Sequence, residues 1–589
     1  MPVQIFATAN CDDVVIFWRI DRAIPDCWGF AIEREEKRRN GTVARTTLDN
    51  RIGFKADNAK AGDRRPSTEW PFQRFSWADH SVDTGDKVRY RVVPMIHDGT
   101  HLTQDVTERS DWTPWMEVSS DAGKDVAVAF NRGLVISQFM ARYLEKLRVD
   151  EGLATLKDAL KHFKASISDH ELPIRRFLSG VLRDDLTRAL AEARKKRQHV
   201  YGALYELEDE ELIAELARFR SRGHLVLANG SIKKAKGETS AQARKRDQNK
   251  TARKALRQKK LEIHDRMISP GALGHNKFLV LATVPKSSNT PKPLAVWTGS
   301  TNWTKTALCT QTNNGLLVRN KDFAEKFLEQ WNRLRHAKSG FPAKLVTANG
   351  AAKKVNLTSG KAEIWFTRAP KKVDLKAIDD IVNAADEAIL FLMFQPGGTA
   401  TLGSIRRRID HPGRLYVKGV VSTLPPEHID DEQEVTVSMV GDAQKRRLDL
   451  DVVQPQGIRT PFASWAATVT RKDFLTMQGG VIGFAIVHSK VIVVDPFTKP
   501  VVITGSHNFS SSASTKNDEN FVIMRGNSEL ALEYAVHILT VYKHYRWLAY
   551  VDRMQRQNRK PFSALAETPD WQKNHLKGAS KREIDFWVR

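Results

Sequence analysis

The sequence predicts an α/β chain of two similar halves packed together with the site between them, preceded by a small all-β sandwich and a helical connector. Two observations lead there. A strand–helix–strand order, HVYGALYEL (199–207), DEELIAELARFRSRG (209–223) and HLVLANG (224–230), has its strands matched later by AILFLMFQP (388–396) and GRLYVKGVVS (413–422). At a shift of 206 residues, GSTNWTKTALCTQTNNGLLV (299–318) also lies without a gap over GSHNFSSSASTKNDENFVIM (505–524).

The elements follow in chain order. Residues 1–120 read as short strands between turns: VVIFWRI (14–20), WGFAIERE (28–35), KVRYRVVPM (87–95) and WMEVSS (115–120). Trp18 on an early strand and Tyr90 on a late one resemble the core positions of a fibronectin type III or immunoglobulin-like sandwich. Residues 121–195 turn helical, through LVISQFMARYLEKL (134–147), GLATLKDALKHF (152–163) and FLSGVLRDDLTRALAEARKK (177–196). The first repeat then covers 196–345 and carries a basic insert, SIKKAKGETSAQARKRDQNKTARKALRQKK (231–260), read either as a solvated surface segment or as a clamp for a polyanion. The second repeat covers 346–552. It contains IWFTRAP (364–370), the helical LKAIDDIVNAADE (375–387) and a helix, LALEYAVHILTVYKHYRWLAYV (530–551), expected to pack on the sheet; residues 553–589 read as a tail.

At 589 residues the chain exceeds one hydrophobic core. Lys and Arg outnumber Asp and Glu by 93 to 69, a net +24, which points to phosphate-rich partners: a phospholipid or membrane surface, or nucleic acid through segment 231–260. The three cysteines, Cys11, Cys27 and Cys309, form no CxxC pair, so no disulfide framework, metal site or cofactor is expected. The start has no Sec-type signal pattern and no apolar run reaches the roughly 18 residues of a membrane helix. A cytoplasmic monomer is the expectation, with export by a signal-independent route left open.

The chemistry lies in VHSKVIVVD (487–495) and GHNKFLV (274–280), each an HxK followed by GSxN. This paired pattern is similar to that of the phospholipase D superfamily, over roughly residues 195–550, and HSKVIVVD is its full HxKxxxxD form. The resemblance implies two α/β repeats and metal-independent phosphodiester chemistry through a phosphohistidine. It makes His275 the nucleophile and His488 the general acid, with Lys277 and Lys490 beside them. Ser300, Asn302, Ser506 and Asn508 would join the lysines around the phosphate, and Asp495 and Glu519 complete the catalytic set, Glu519 hydrogen-bonding the motif histidine in a way that suits His488 as the acid.

Two departures separate the halves. Where the second has Asp495, the first has Ala282, and opposite Glu519 stands Asn313. Trp297, Trp303 and Phe509 beside the GSxN turns read as core before they read as a ligand pocket, and His507 as a turn residue. On substrate, the two-repeat form and the positive charge put phospholipid hydrolysis or headgroup exchange first and nuclease action second. A third reading, a phosphate-binding protein without turnover, rests on Ala282 and Asn313.

Overall fold

The structure, a computed structural model, describes residues 3–38, 40–59, 63–133, 146–396, 400–410, 415–421, 450–453, 486–559 and 564–589. The chain forms two compact units. One joins Met1–Ser120 to Val440–Asp451 and Ala535–Arg589, and the other comprises Asp121–Met439 and Val452–Tyr534. Most of the helix read over 134–147 lies outside the described residues.

Among its described residues the first unit holds two larger antiparallel sheets and a two-stranded one, Asp49–Asn50 with Arg65–Pro66. Val14–Arg19 is the middle strand of one, between Gln4–Ala9 and Ser76–Asp79; Lys87–His97 and Cys27–Lys37 pair at the centre of the other. In Lys87–His97 the period-2 pattern buries Val88, Tyr90 and Val92, as a sheet with one covered face requires. Trp18, Phe30 and Phe75 meet in the core, and the Tyr90 hydroxyl donates to Asp79 at 3.0 Å. The end of the chain is no tail. Trp587 stacks on Phe17 with ring centroids 4.9 Å apart, and Trp571 meets Phe30 edge-on at 5.9 Å. Burying Trp587 and half-burying Trp571 gives this segment the apolar area that a free tail lacks.

The second unit contains the repeat. Its first sheet runs in the order Val126–Phe130, Asn314–Val318, Lys292–Gly299, Lys277–Thr283, His199–Leu204, Gly223–Ala228, Glu262–Arg266. Its second runs Lys353–Leu357, Gly360–Phe366, Asn520–Arg525, Val501–Gly505, Val491–Val494, Ala388–Met393, Tyr416–Val421. The matching strands pair alike: His199–Leu204 is parallel to Gly223–Ala228 and antiparallel to Lys277–Thr283, as Ala388–Met393 is to Tyr416–Val421 and Val491–Val494. These strands read as almost unbroken β-branched and leucine runs because helices such as Lys321–Ala337 and Val373–Asn383 cover them.

The halves are tied by reciprocal contacts. Asn520 donates to Thr298 Oγ1 at 2.7 Å, and Asn314 donates to Thr504 Oγ1 at 3.1 Å. Since 298 and 504, like 314 and 520, are 206 apart, one bond is the other under a local twofold. The backbone repeats the device: His488 N donates to Thr312 O, and Asp518 N to Leu273 O. Buried Arg266 adds a two-pronged pair to Asp518, with Nε to Oδ2 at 2.6 Å.

Candidate active site

Each HxK motif leads into its strand, which begins at Lys277 in the first half and at Val491 in the second. His488 and Lys490 lie in the extended lead-in that crosses to the other half. His275, Lys277, His488 and Lys490 are all buried, and the lysine of each motif donates to the carbonyl of its own histidine. An aromatic ring backs each imidazole. Tyr205 lies 4.7 Å from His275 and Phe394 lies 4.8 Å from His488, centroid to centroid, and the same rings sit beneath Lys277 and Lys490 at 5.1 and 5.0 Å. Tyr205 and Phe394 occupy equivalent places, each the residue after its half's first strand of the βαβ unit.

The partner of each histidine comes from the opposite half. His275 Nδ1 is 2.7 Å from Glu519 Oε2, whereas His488 Nδ1 is 2.9 Å from Asn313 Oδ1. This corrects the expected pairing of Glu519 with His488. Burial opposes ionisation of Glu519, but His275 and Lys277 hold it below the usual carboxylate range, so it accepts and His275 Nδ1 carries the proton. Asn313 Nδ2 donates to Ala307 O at 2.9 Å, which turns its Oδ1 toward His488 and makes that Nδ1 a donor too. In both rings Nε2 is left for chemistry.

The serines of GSxN do other work than expected. Ser300 Oγ donates to Asn313 Oδ1 at 2.8 Å and Ser506 Oγ to Glu519 Oε2 at 2.7 Å, while each accepts the next N–H, from Asn314 and Asn520. They orient the histidines' partners and are not free phosphate donors. The preceding glycines are needed because a Cβ on Gly299 or Gly505 would stand 2.3 Å from the carbonyl oxygen of Asn314 or Asn520. Among the described residues Asn302 and Asn508 each keep a buried Oδ1 without a partner, and Asn302 Nδ2 donates to Glu206 Oε2 at 2.6 Å.

Asp495 is not at the site. Its carboxylate accepts the backbone N–H groups of Asp386, Glu387 and Ala388 at 2.8 to 2.9 Å, closing the turn that opens the strand Ala388–Met393. The first half manages with Ala282 because Arg197 and Gln198, at the places of Asp386 and Glu387, donate to the helix carbonyls of Arg194 and Ala193. Trp297, Trp303 and Phe509 are core, and His507 Nδ1 accepts from Phe509 N within its turn.

Crowding cations in a buried place has electrostatic consequences. Burial drives the His275 imidazole down to about 4, with Lys277 adding to the effect and Glu519 opposing it. Burial, then Lys490 and Lys277, push His488 well below the ordinary histidine range. Burial lowers Lys277 to about 7 and takes Lys490 well below the usual lysine range, the latter aided by repulsion from Lys277. Burial, with Glu208 in the same sense, lifts Glu206 to about 7 against the pull of Lys277. An anionic phosphoryl group among these side chains favours the charged forms of the histidines and lysines and the neutral form of Glu206.

A family model described as "Cardiolipin synthase, PLD-like domain" matches residues 186–335 and 428–541, a segment around each motif. The chain carries a PLD-like domain in two segments. Similar solved structures include phosphatidylserine synthase from Haemophilus influenzae Rd KW20, 12% identical over 68% of this chain and 90% of that one, with a TM-score of 0.36. The phospholipase D family member Nuc from Salmonella typhimurium is 16% identical over 31% of this chain and 94% of its own, TM-score 0.19. Polyphosphate kinase from Porphyromonas gingivalis is 12% identical over 58% of this chain, which spans only 45% of the kinase, TM-score 0.35. No curated protein matches the chain. Sequence reasoning missed Tyr205, Phe394 and Glu206, whose one signal was their place at the ends of matching strands. No helix among the described residues is long and apolar enough to cross a membrane.

Proposed function

We propose that the protein is a metal-independent phosphodiesterase working through a phosphohistidine. The observation that carries this is the crossed pairing of His275 with Glu519 and of His488 with Asn313, which fixes both tautomers and leaves two Nε2 atoms. A diester phosphate held by Lys277, Lys490 and the amides of Asn302 and Asn508 is attacked at phosphorus by His275 Nε2. As the P–O bond breaks, His488, protonated as the bound phosphate offsets its neighbouring lysines, gives its Nε2 proton to the leaving oxygen. Water or an alcohol then attacks phosphorus, His488 takes back a proton, and the P–N bond breaks.

Trapping the intermediate tests this. With bis(p-nitrophenyl) phosphate, whose leaving group needs no acid, His488→Ala should accumulate a phosphoryl group on His275 that alkaline quench and peptide mass spectrometry locate, with EDTA present. A label on His488 in the parent, or turnover retained by His275→Ala, overturns the assignment.

Two substrates share this chemistry. Phospholipid cleavage or headgroup exchange is supported by the net charge of +24, which any anionic surface would attract. A nucleic-acid strand is supported by something more specific, a folded basic segment fixed beside the recess, and we place it first. The binding-only reading is opposed by two histidines whose orientation serves no purpose in a phosphate cradle.

A further inference from the structure

We propose that segment 231–260 is a docking track for single-stranded nucleic acid that delivers the strand to the His275–His488 recess; this rests on the phosphodiesterase reading above. The segment is folded, with short helices at Ser240–Ala243 and Lys250–Gln258, and it is fastened at its start and its middle to residues that frame the site. Asn249 donates to the carbonyls of Tyr205 and Ala228, each at 2.8 Å, and accepts from Leu207 N at 2.9 Å. Gln248 donates to Glu208 at 2.9 Å, and Ile232 N donates to Ser269 Oγ at 2.9 Å, six residues ahead of His275. The rim of the recess and the basic segment are therefore one hydrogen-bonded piece.

Its charge is unbalanced. Arg246 pairs with Glu238, Arg253 with Asp247 and Asp265, and Arg257 with Asp265, which uses the acids in reach. Lys233, Lys234, Lys236, Arg244 and Lys245 are exposed and carry no ion pair among the described residues. The large apolar side chains of the segment face inward, Leu256 fully buried and Ile232 half-buried, so it offers nothing to insert among lipids, as a membrane-surface helix would. Cations without an apolar face suit a phosphate backbone. With His275 and His488 only 5% and 4% exposed, the phosphorus must reach inward, which a single strand does more readily than a stacked duplex.

The test separates this surface from the chemistry. In full-length protein with His488→Ala, affinity for a 30-mer of single-stranded DNA is measured by anisotropy at several salt concentrations. Replacing Lys233, Lys234, Lys236, Arg244 and Lys245 by Glu should weaken binding at least ~100-fold and flatten the salt slope by about 0.7 per phosphate contact removed. In the parent background the same replacements should leave kcat/KM for bis(p-nitrophenyl) phosphate unchanged. Single Lys→Gln variants, checked by their melting temperatures, give the same trend in smaller steps if the fivefold change unfolds the rim. Unchanged DNA affinity, or a loss confined to phosphatidylserine vesicles, overturns the track. Parent protein that binds DNA through these residues yet cleaves no diester leaves the track standing and defeats the phosphodiesterase reading.

Discussion

The two halves share a fold, an HxK motif and an aromatic backing, and differ in what holds each histidine. A carboxylate, Glu519, meets His275, while an amide, Asn313, meets His488. The carboxylate supports positive charge on its ring, which a nucleophile acquires when it bonds to phosphorus. The amide fixes a tautomer and supports no charge, so its ring gives up a proton easily. On the proposed mechanism, the asymmetry at 313 and 519, which by sequence looks like decay of the first half, divides nucleophile from acid. Because each partner crosses over, the substitution in the first half tunes the histidine of the second.

The largest effect should come from removing the nucleophile. His275→Ala should lower kcat/KM by roughly 10⁴-fold or more, while His488→Ala should lose far less with p-nitrophenyl leaving groups than with alkyl ones, because only the latter need a proton. Equal losses with both leaving groups would erase the distinction between the halves. Next in size, Glu519→Gln should reduce kcat by roughly 10²- to 10⁴-fold, since the amide no longer stabilises charge on His275. Slowed formation of the phosphohistidine in single-turnover experiments would place that loss at the first step.

Much of this was legible before the fold. The 206-residue shift aligns polar residues that a sheet would not otherwise repeat, so the motifs and the two halves follow from local pattern. The crossed pairing of Glu519 was not legible, because the residue a carboxylate meets depends on the twofold between halves, seen in the Asn314–Thr504 and Asn520–Thr298 bonds. Tyr205 and Phe394 look like ordinary strand-end aromatics until the imidazoles are placed on them. Ser300 and Ser506 were misread as phosphate donors because a hydroxyl in a motif gives no hint that a side chain 13 residues on accepts its proton. The aromatic residues near the C-terminus read as a tail for a similar reason, their partners lying more than 500 positions away.

Asp495 tests a structural difference between the halves. Asp495→Asn should lower stability by about 1–3 kcal/mol, since one carboxylate there serves three backbone donors, and should leave kcat of the folded enzyme nearly unchanged. Ala282→Asp in the first half should bring no matching gain, as the donors at that place already bond helix carbonyls. Chemical denaturation read beside activity checks both, and a selective loss of kcat in Asp495→Asn would return that residue to the site.

The smallest effect is the most specific. Asn313→Asp gives His488 the kind of partner that His275 has, and the sign follows from the acid's role. His488 must be protonated to act, burial and two lysines hold its proton affinity low, and activity should therefore fall as pH rises through the value reached with substrate bound. A carboxylate at 313 favours the charged ring, so this alkaline limb should move up, by roughly one unit if the new charge is worth ~1.4 kcal/mol. The acid limb, set by neutral His275 near a value of about 4, should stay in place. Stability should suffer slightly, because Asn313 Nδ2 now donates to Ala307 O and a carboxylate oxygen would repel it, although Asn131 Nδ2, 3.0 Å from the same carbonyl, keeps that oxygen paired. With a more strongly held proton His488 becomes a weaker acid, so alkyl leaving groups should slow by up to about tenfold at neutral pH while p-nitrophenyl diesters are spared. A pH profile that does not move would mean that the amide at 313 serves packing alone, and the division of labour between the halves would then rest on Glu519.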